Sequence, residues 1–200
     1  LGRQAFEAAD VEFALGSNGA GTGAMTAMMK GGLGSASLVL PDGSTVGALV
    51  AANPVGAETT PGDRHFYAAP FEIDGEFGGV GPDPAAGLGL NLESRKMRAM
   101  SMRENTTIAI VATDATLTKA ECQRVAVAAH DGIGRATVPA HTPHDGDLVF
   151  ALSTDAQAAG DVTLIGHAAS ICLARAIARA VYEATPAEGD LLECWRTLNA

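Results

Sequence analysis

Apolar runs broken by glycine, proline and acidic turns set the rhythm of this chain, and two periods can be read in it. Residues 35–40 and 45–52 flank the turn Pro41-Asp42-Gly43-Ser44 and predict an antiparallel hairpin. Residues 108–112 are β-branched or small and wholly apolar, too short a run for an independent helix, and predict a central strand buried on both faces. A further strand is predicted over 148–152. Helical spacing of Ala5, Phe6, Ala9 and Phe13 predicts a helix over 3–13, and a Met- and Ala-rich run predicts another over 24–30, ended by Gly31-Gly32. Thr118 and Glu121 form a capping box, and Cys122, Val125, Ala126, Ala129 and Ile133 continue one apolar face. They predict a helix over 119–130, stopped by Gly132 or Gly134. A long Ala-rich helix is predicted over 161–182, capped by Asp161, with a short terminal helix within 190–198. From 57 to about 103 periodicity is lost, and Arg95, Lys96, Arg98 and Arg103 make a small basic cluster. So long an irregular excursion inside a compact domain is functional or mobile.

Two hundred residues suffice for one sizeable domain, read here as 1–200. Because 47% hydrophobic content comes with 4% aromatics and 24 glycines, the core must pack Ala, Val, Leu, Ile and Met closely. A net charge of -10 argues against nucleic acid and against an anionic membrane surface as partners. Cys122, Cys172 and Cys194 are odd in number, show no C-x-x-C spacing and read as reduced core residues. No run approaches an uncharged membrane span and no signal peptide heads the chain, so a soluble cytoplasmic protein is the default expectation. Leu1 is not a methionine, and residues 1–13 read as the middle of an α/β pattern, so an amino-terminal portion is expected to be missing.

Candidate chemistry gathers where polar residues meet apolar runs. The glycines of 16–23 invite a phosphate-cradle reading, but neither the P-loop lysine nor the dinucleotide spacing follows, and backbone crowding explains them better. Lys30 reads as a cation closing a helix, and Asn53 as a turn residue restricted by Pro54. His141 and His144 have H-x-x-H spacing, but Pro143 opposes a helix and no third ligand is evident, so no metal site is expected. Asp145-Gly146-Asp147 is either a tight turn or a pair of carboxylates at one strand end. In Arg103-Glu104-Asn105-Thr106-Thr107-Ile108, Thr106 is either an ordinary strand-starting threonine or a hydroxyl at the sheet edge, where ligands bind. An irregular approach to a rigid strand is mechanically what an internal cleavage point requires.

Taken in order, Gly19-Ala20-Gly21-Thr22-Gly23, Lys30-Gly31-Gly32-Leu33-Gly34-Ser35-Ala36-Ser37, Asn53, Asn105-Thr106-Thr107-Ile108 and Asp145-Gly146-Asp147 resemble one family. It is the DmpA-type self-cleaving hydrolases, which include L-aminopeptidase/D-esterase, β-aminopeptidases and nylon-oligomer hydrolase. The resemblance runs nearly the whole chain. It implies an α/β fold of the layered αββα type, a cut between Asn105 and Thr106, and two subunits, 1–105 and 106–200. Thr106 would become an amino-terminal nucleophile with its own α-amine, of pKa about 7.7 to 8.0, as general base. By similarity Lys30 favours the deprotonated nucleophile. Asn53 donates to the oxyanion, a donor whose removal elsewhere costs about 100- to 1000-fold. Asp145 and Asp147 orient or polarise the threonine. The Asp-Gly-Asp form points to the Thr-nucleophile, nylon-hydrolase-like branch, since the aminopeptidase branch carries Ser and Glu there. The family also implies a small peptide or amide substrate, homo-oligomers and no cofactor. Its members carry a considerable segment ahead of Leu1, including an active-site aromatic, that this chain does not show. Two other readings stand beside this one: an ornithine-acetyltransferase-like enzyme that passes an acetyl group to an amine, and an unprocessed scaffold in which Thr106 merely starts a strand.

Overall fold

Hydrogen bonding between the apolar runs builds a four-stranded sheet. The structure, a computed structural model, describes residues 2–90, 92–99 and 105–200. Its strands are β1 (Gly32–Val39), β2 (Thr45–Ala52), β3 (Ile108–Thr116) and β4 (Leu148–Ala159). Its helices are α1 (Gly2–Glu7), α2 (Arg95–Ala99), α3 (Lys119–Ala136), α4 (Val162–Tyr182) and α5 (Trp195–Leu198). Sheet order follows chain order, antiparallel from β1 to β3 and parallel between β3 and β4. A parallel pair needs a crossover, and α3 supplies it. The predicted hairpin is β1 and β2, with Gly32 opposite Ala52.

Helices α3 and α4 cover one face of the sheet. The helix-facing side chains are small: Gly32, Gly34 and Ala36 on β1, Ala48 and Ala52 on β2, and Ala169, Ala176 and Ala180 on α4. Such residues let a helix backbone approach a sheet closely: a Cβ on Gly34 would lie 1.9 Å from Ala176 O. By length and composition α4 could cross a bilayer, but most of it is buried within the fold, so its apolarity belongs to the core. A buried Arg175 donates to Ser37 O at 2.8 Å and to Glu76 at 2.5 and 3.0 Å, tying α4 to the β1 edge and to the irregular segment.

The expected α/β class is observed, with one sheet and one helical layer among the described residues. Strand β3 is interior in the sheet, as predicted, but is buried on one face only. Ala109, Val111, Thr113 and Ala115 point to the helices, while Ile108 is 49% exposed on the other side. The helix predicted over 24–30 is instead a tight turn. Met25 bridges Lys30, and the Thr26 N–H donates to Met29 O, so local hydrogen bonds replace helical ones in a run too short to nucleate. The first helix ends at Glu7 rather than Phe13, with Phe6 exposed and no tertiary surface to hold another turn. The terminal helix is confined to Trp195–Leu198. The crowding expected around residues 16–23 is present, since a Cβ on Gly21 would lie 2.2 Å from Leu33 N. The described part of the excursion, 57–90 and 92–99, is irregular apart from isolated bridges, a 3-10 turn, Ala69–Phe71, and α2. Arg103 and Glu104 lie outside the described residues.

Thr118 and Glu121 form the predicted capping box, but α3 runs on through Gly132 and Gly134 to Ala136. Gly132 is where α3 and α4 touch: a Cβ there would sit 2.4 Å from Ser170 O. Gly132→Ala therefore sets a propensity gain of about 1 kcal/mol against overpacking onto a backbone atom, which costs roughly 1 to 3 kcal/mol. Backbone cannot swing aside, so the clash wins. A lower thermal midpoint than the parent is expected in calorimetry, whereas Gly134→Ala, in open space, should raise it slightly.

Candidate active site

Parallel pairing of β3 with β4 brings the Asn105-Thr106 peptide against the Asp145-Gly146-Asp147 turn. Leu148 N–H donates to Thr107 O at 3.0 Å, and Gly146 N–H donates to Asn105 O at 3.0 Å, extending the ladder beyond the strand ends. Asp147 Oδ1 accepts the Thr107 N–H at 2.8 Å. The Thr106 hydroxyl is half-buried and donates to Asn105 O at 2.6 Å. A Cβ on Gly146 would stand 2.9 Å from Thr106 Oγ1 and would push the hydroxyl from its place.

Asn53, just beyond β2, closes the other side. Its carbonyl accepts the Thr106 N–H at 3.1 Å, and its Oδ1 accepts the Met25 N–H at 3.1 Å. Asp145 braces the turn rather than the hydroxyl: Oδ1 accepts the Val55 N–H at 2.9 Å, and Oδ2 accepts from Thr142 N at 3.0 Å and Thr142 Oγ1 at 2.7 Å. Asp147 Oδ2 is buried without a hydrogen bond among the described residues, and His141 Nδ1 stands 3.4 Å from it. The His141 ring packs 5.4 Å from that of His130, whose pKa is lowered by burial and then by His141.

Five of the six expected site residues, Asn53, Asn105, Thr106, Asp145 and Asp147, are thus brought together. Lys30 is committed elsewhere. Its ammonium holds both Asp190 oxygens at 2.7 Å and Thr185 O at 2.9 Å, and the Asp190 carboxyl lies below its ordinary pKa because of that hydrogen bond. The cation that meets Asn53 is Lys96, with Nζ 2.9 Å from Oδ1. Nothing local in Arg95-Lys96-Met97-Arg98 signals that its lysine turns inward, so sequence reasoning left it in a basic cluster.

Behind Lys96 lies Glu58, 1% exposed, which was also missed. Burial pushes its carboxyl up to about 8, against the pull of the Thr26 hydroxyl and then of Lys96. Burial likewise lowers Lys96 to about 8, against Glu58 and Asp145. Beside the site a cavity of about 400 Å³ is walled mainly by apolar groups, including Met28, Val55, Met97, Val138 and Pro143. Val55 and Met97 each lie within two residues of a group that touches the site, Asn53 and Lys96.

The chain matches the model of peptidase family S58 over residues 2–192. It is 40% identical over 203 residues to an uncharacterized aminopeptidase of Mycobacterium tuberculosis (strain ATCC 25618 / H37Rv), covering 94% of this chain and 58% of that protein. It is 42% identical over 201 residues to an uncharacterized aminopeptidase of Mycobacterium leprae (strain TN), covering 92% and 53%. The chain thus spans little more than half the length of these relatives. Among solved structures it resembles the PH0078 protein of Pyrococcus horikoshii OT3, with TM-score 0.68, 27% identity, and coverage of 98% and 53%. It also resembles the L-aminopeptidase D-Ala-esterase/amidase of Ochrobactrum anthropi, described as a variant of the Ntn hydrolase fold, with TM-score 0.66, 26% identity, and coverage of 95% and 52%.

Glu58 makes one site property measurable. A folded-state pKa raised from 4.5 to about 8 contributes stability that is full below 4.5 and is lost as pH rises through 8. Glu58→Gln mimics the protonated acid. Its denaturant midpoint should stay near the parent's at pH 4 and exceed it by a margin that grows between pH 6 and pH 9, as followed by circular dichroism. From five motifs in order, a sequence model spanning almost every residue and the shared fold, the conclusion is one of kinship: this chain is a member of peptidase family S58, the DmpA-type hydrolases.

Proposed function

We propose that the chain is the self-cleaving part of an amide hydrolase in which Thr106 cuts its own backbone and then acts as an amino-terminal nucleophile. One observation carries this reading: the Thr106 hydroxyl and the Gly146 N–H converge on the same Asn105 carbonyl oxygen, at 2.6 and 3.0 Å. A nucleophile beside the carbonyl and a donor on its oxygen are the two requirements of acyl transfer.

In the first step Thr106 Oγ1 bonds to the Asn105 carbonyl carbon while its proton passes to the Thr106 nitrogen. The Gly146 N–H supports the negative charge that develops on the oxygen. The C–N bond then breaks, leaving Asn105 esterified to Thr106 and a free α-amine. Water hydrolyses the ester, releasing the Asn105 carboxylate and restoring the hydroxyl. The new amine retains a place on the Asn53 carbonyl, which already accepts the Thr106 N–H at 3.1 Å. From there it serves as base for its own hydroxyl. Asn53 supplies the oxyanion donor for the second substrate, Asp147 holds the main chain at Thr107, and Asp145 fixes the turn. Lys30 enters only as a brace between its turn and the Asp190 segment.

The substrate class is short peptides or related amides, in line with the aminopeptidase names of the relatives. The neighbouring apolar cavity suits a hydrocarbon side chain on such a substrate. Assembly into homo-oligomers of processed protomers belongs to the same reading. Intact-mass measurement after prolonged incubation should give two pieces, 1–105 and 106–200, and Thr106→Ala should remain one chain. A parent chain that stays whole defeats the proposal. Once cleaved, the preparation should release amine from short amide oligomers, with no acetyl transfer to ornithine.

A further inference from the structure

Asn53 presents two oxygens to one buried ammonium. Lys96 is 3% exposed, and its Nζ donates to Asn53 Oδ1 at 2.9 Å, Asn53 O at 3.2 Å, Pro54 O at 3.0 Å and Met25 O at 2.7 Å. An ammonium carries three N–H donors and no acceptor, so four oxygens share three protons and no neutral side chain can serve them all. Since Oδ1 also receives the Met25 N–H, two donors decide which end of the carboxamide is oxygen and therefore where its NH2 end lies. The Asn53 carbonyl under the same ammonium is the acceptor of the Thr106 N–H.

Short helix α2 holds Lys96 at this post. The Lys96 N–H donates to Ala27 O at 3.0 Å, Arg95 donates to Met28 O at 3.2 Å, and Arg95 pairs with Asp63 at 2.6 Å. These bonds run to the 24–31 turn and the 57–63 segment, none of them across the Asn105-Thr106 junction. They would survive a cut there.

We propose that Lys96 is a positioning residue of the amide-cleaving site, holding the Asn53 carboxamide and the Asn53 carbonyl in register with Thr106 before and after the chain is cut. This rests on the reading of Thr106 as nucleophile and Asn53 as oxyanion donor. Lys96 touches neither reacting atom and acts through Asn53. Among the described residues, the titratable groups that face it are Glu58, from the segment after β2, and Asp145, from the turn before β4. Burial sets its proton loss at about 8, so alkaline solution removes a donor from the cluster and loosens the register.

The test takes Glu58→Gln as its parent, so that the neighbouring carboxyl, which also titrates near 8, adds no step of its own, and compares this full chain with the same chain carrying Lys96→Met or Lys96→Arg. Cleavage rates are followed by intact mass from pH 6 to 10, and the Asn53 side-chain NH2 resonance is followed by 15N NMR, assigned with Asn53→Asp. This parent should show a step at or below about pH 8 in both readouts, since burial lowers Lys96 and the charge of Glu58 no longer raises it. Lys96→Met should cut at least about 10-fold more slowly at pH 7, a fraction of the loss expected from deleting an oxyanion donor, with a displaced Asn53 resonance. Lys96→Arg should recover part of the rate and lack the step, because a guanidinium does not deprotonate in this range. Parent-like cutting and an unmoved Asn53 resonance in Lys96→Met would overturn the proposal, as would an unchanged step in Lys96→Arg. If Lys96→Met does not fold, the arginine variant alone decides. If the parent itself never cuts, the nucleophile reading fails, and the Asn53 resonance still decides the positioning: a step lost in Lys96→Arg supports it, and a step retained overturns it.

Discussion

The site depends on one constraint, the parallel registration of β3 against β4. With Ile108 opposite Leu148, the residues just ahead of each strand are forced side by side, and their peptide groups continue the ladder where the sheet proper has ended. Two N–H to carbonyl bonds and one carboxylate then lock the Asn105-Thr106-Thr107 main chain. A slip of one residue would turn every β3 side chain to the opposite face and carry Thr106 away from the turn. The apolar alternation that buries Ala109 and Val111 against the helices is therefore also what sets the hydroxyl in place.

Burial of charge follows the same economy of space. Close helix-to-sheet packing leaves room for long side chains only at the rim of the core, and there each buried cation among the described residues meets an acid or a group of carbonyls. Arg175 forks onto Glu76, and Lys30 closes on Asp190. Lys96 differs, because its partners are mostly main-chain oxygens and its nearby acid, Glu58, is driven toward the neutral form. A buried pair whose members are both pushed toward neutrality contributes little net Coulombic stability. Its arrangement makes more sense as an orienting device for the Asn53 oxygens.

Much of this was legible in the chain itself. The hairpin, the capped α3, the Asp161-capped α4 and the interior β3 follow from periodicity and local hydrogen-bond chemistry, because each has a strong local preference that the fold does not oppose. The order of the motifs likewise pointed to Thr106, Asn53 and the two aspartates as neighbours. Misreadings fall where long-range contacts decide. Gly132 looks like a helix stop in sequence and is a helix-contact point in space. The 24–30 run has helical composition, yet Asn53 takes the Met25 N–H for another purpose. Lys30 and Lys96 cannot be ranked from sequence, since which ammonium reaches Asn53 depends on how the irregular excursion folds back.

The direction of the Thr106 proton has a consequence for the proposed attack. An oxygen that donates to a carbonyl oxygen at 2.6 Å directs hydrogen, not a lone pair, at the group it is to strike. To present a lone pair to the carbonyl carbon, the hydroxyl must turn its hydrogen away and surrender that contact, at a cost of about 0.5 to 1.5 kcal/mol. Under the proposed reaction this would be a safety-catch geometry, in which the hydroxyl rests with its own hydrogen as the guard and must turn before it can attack.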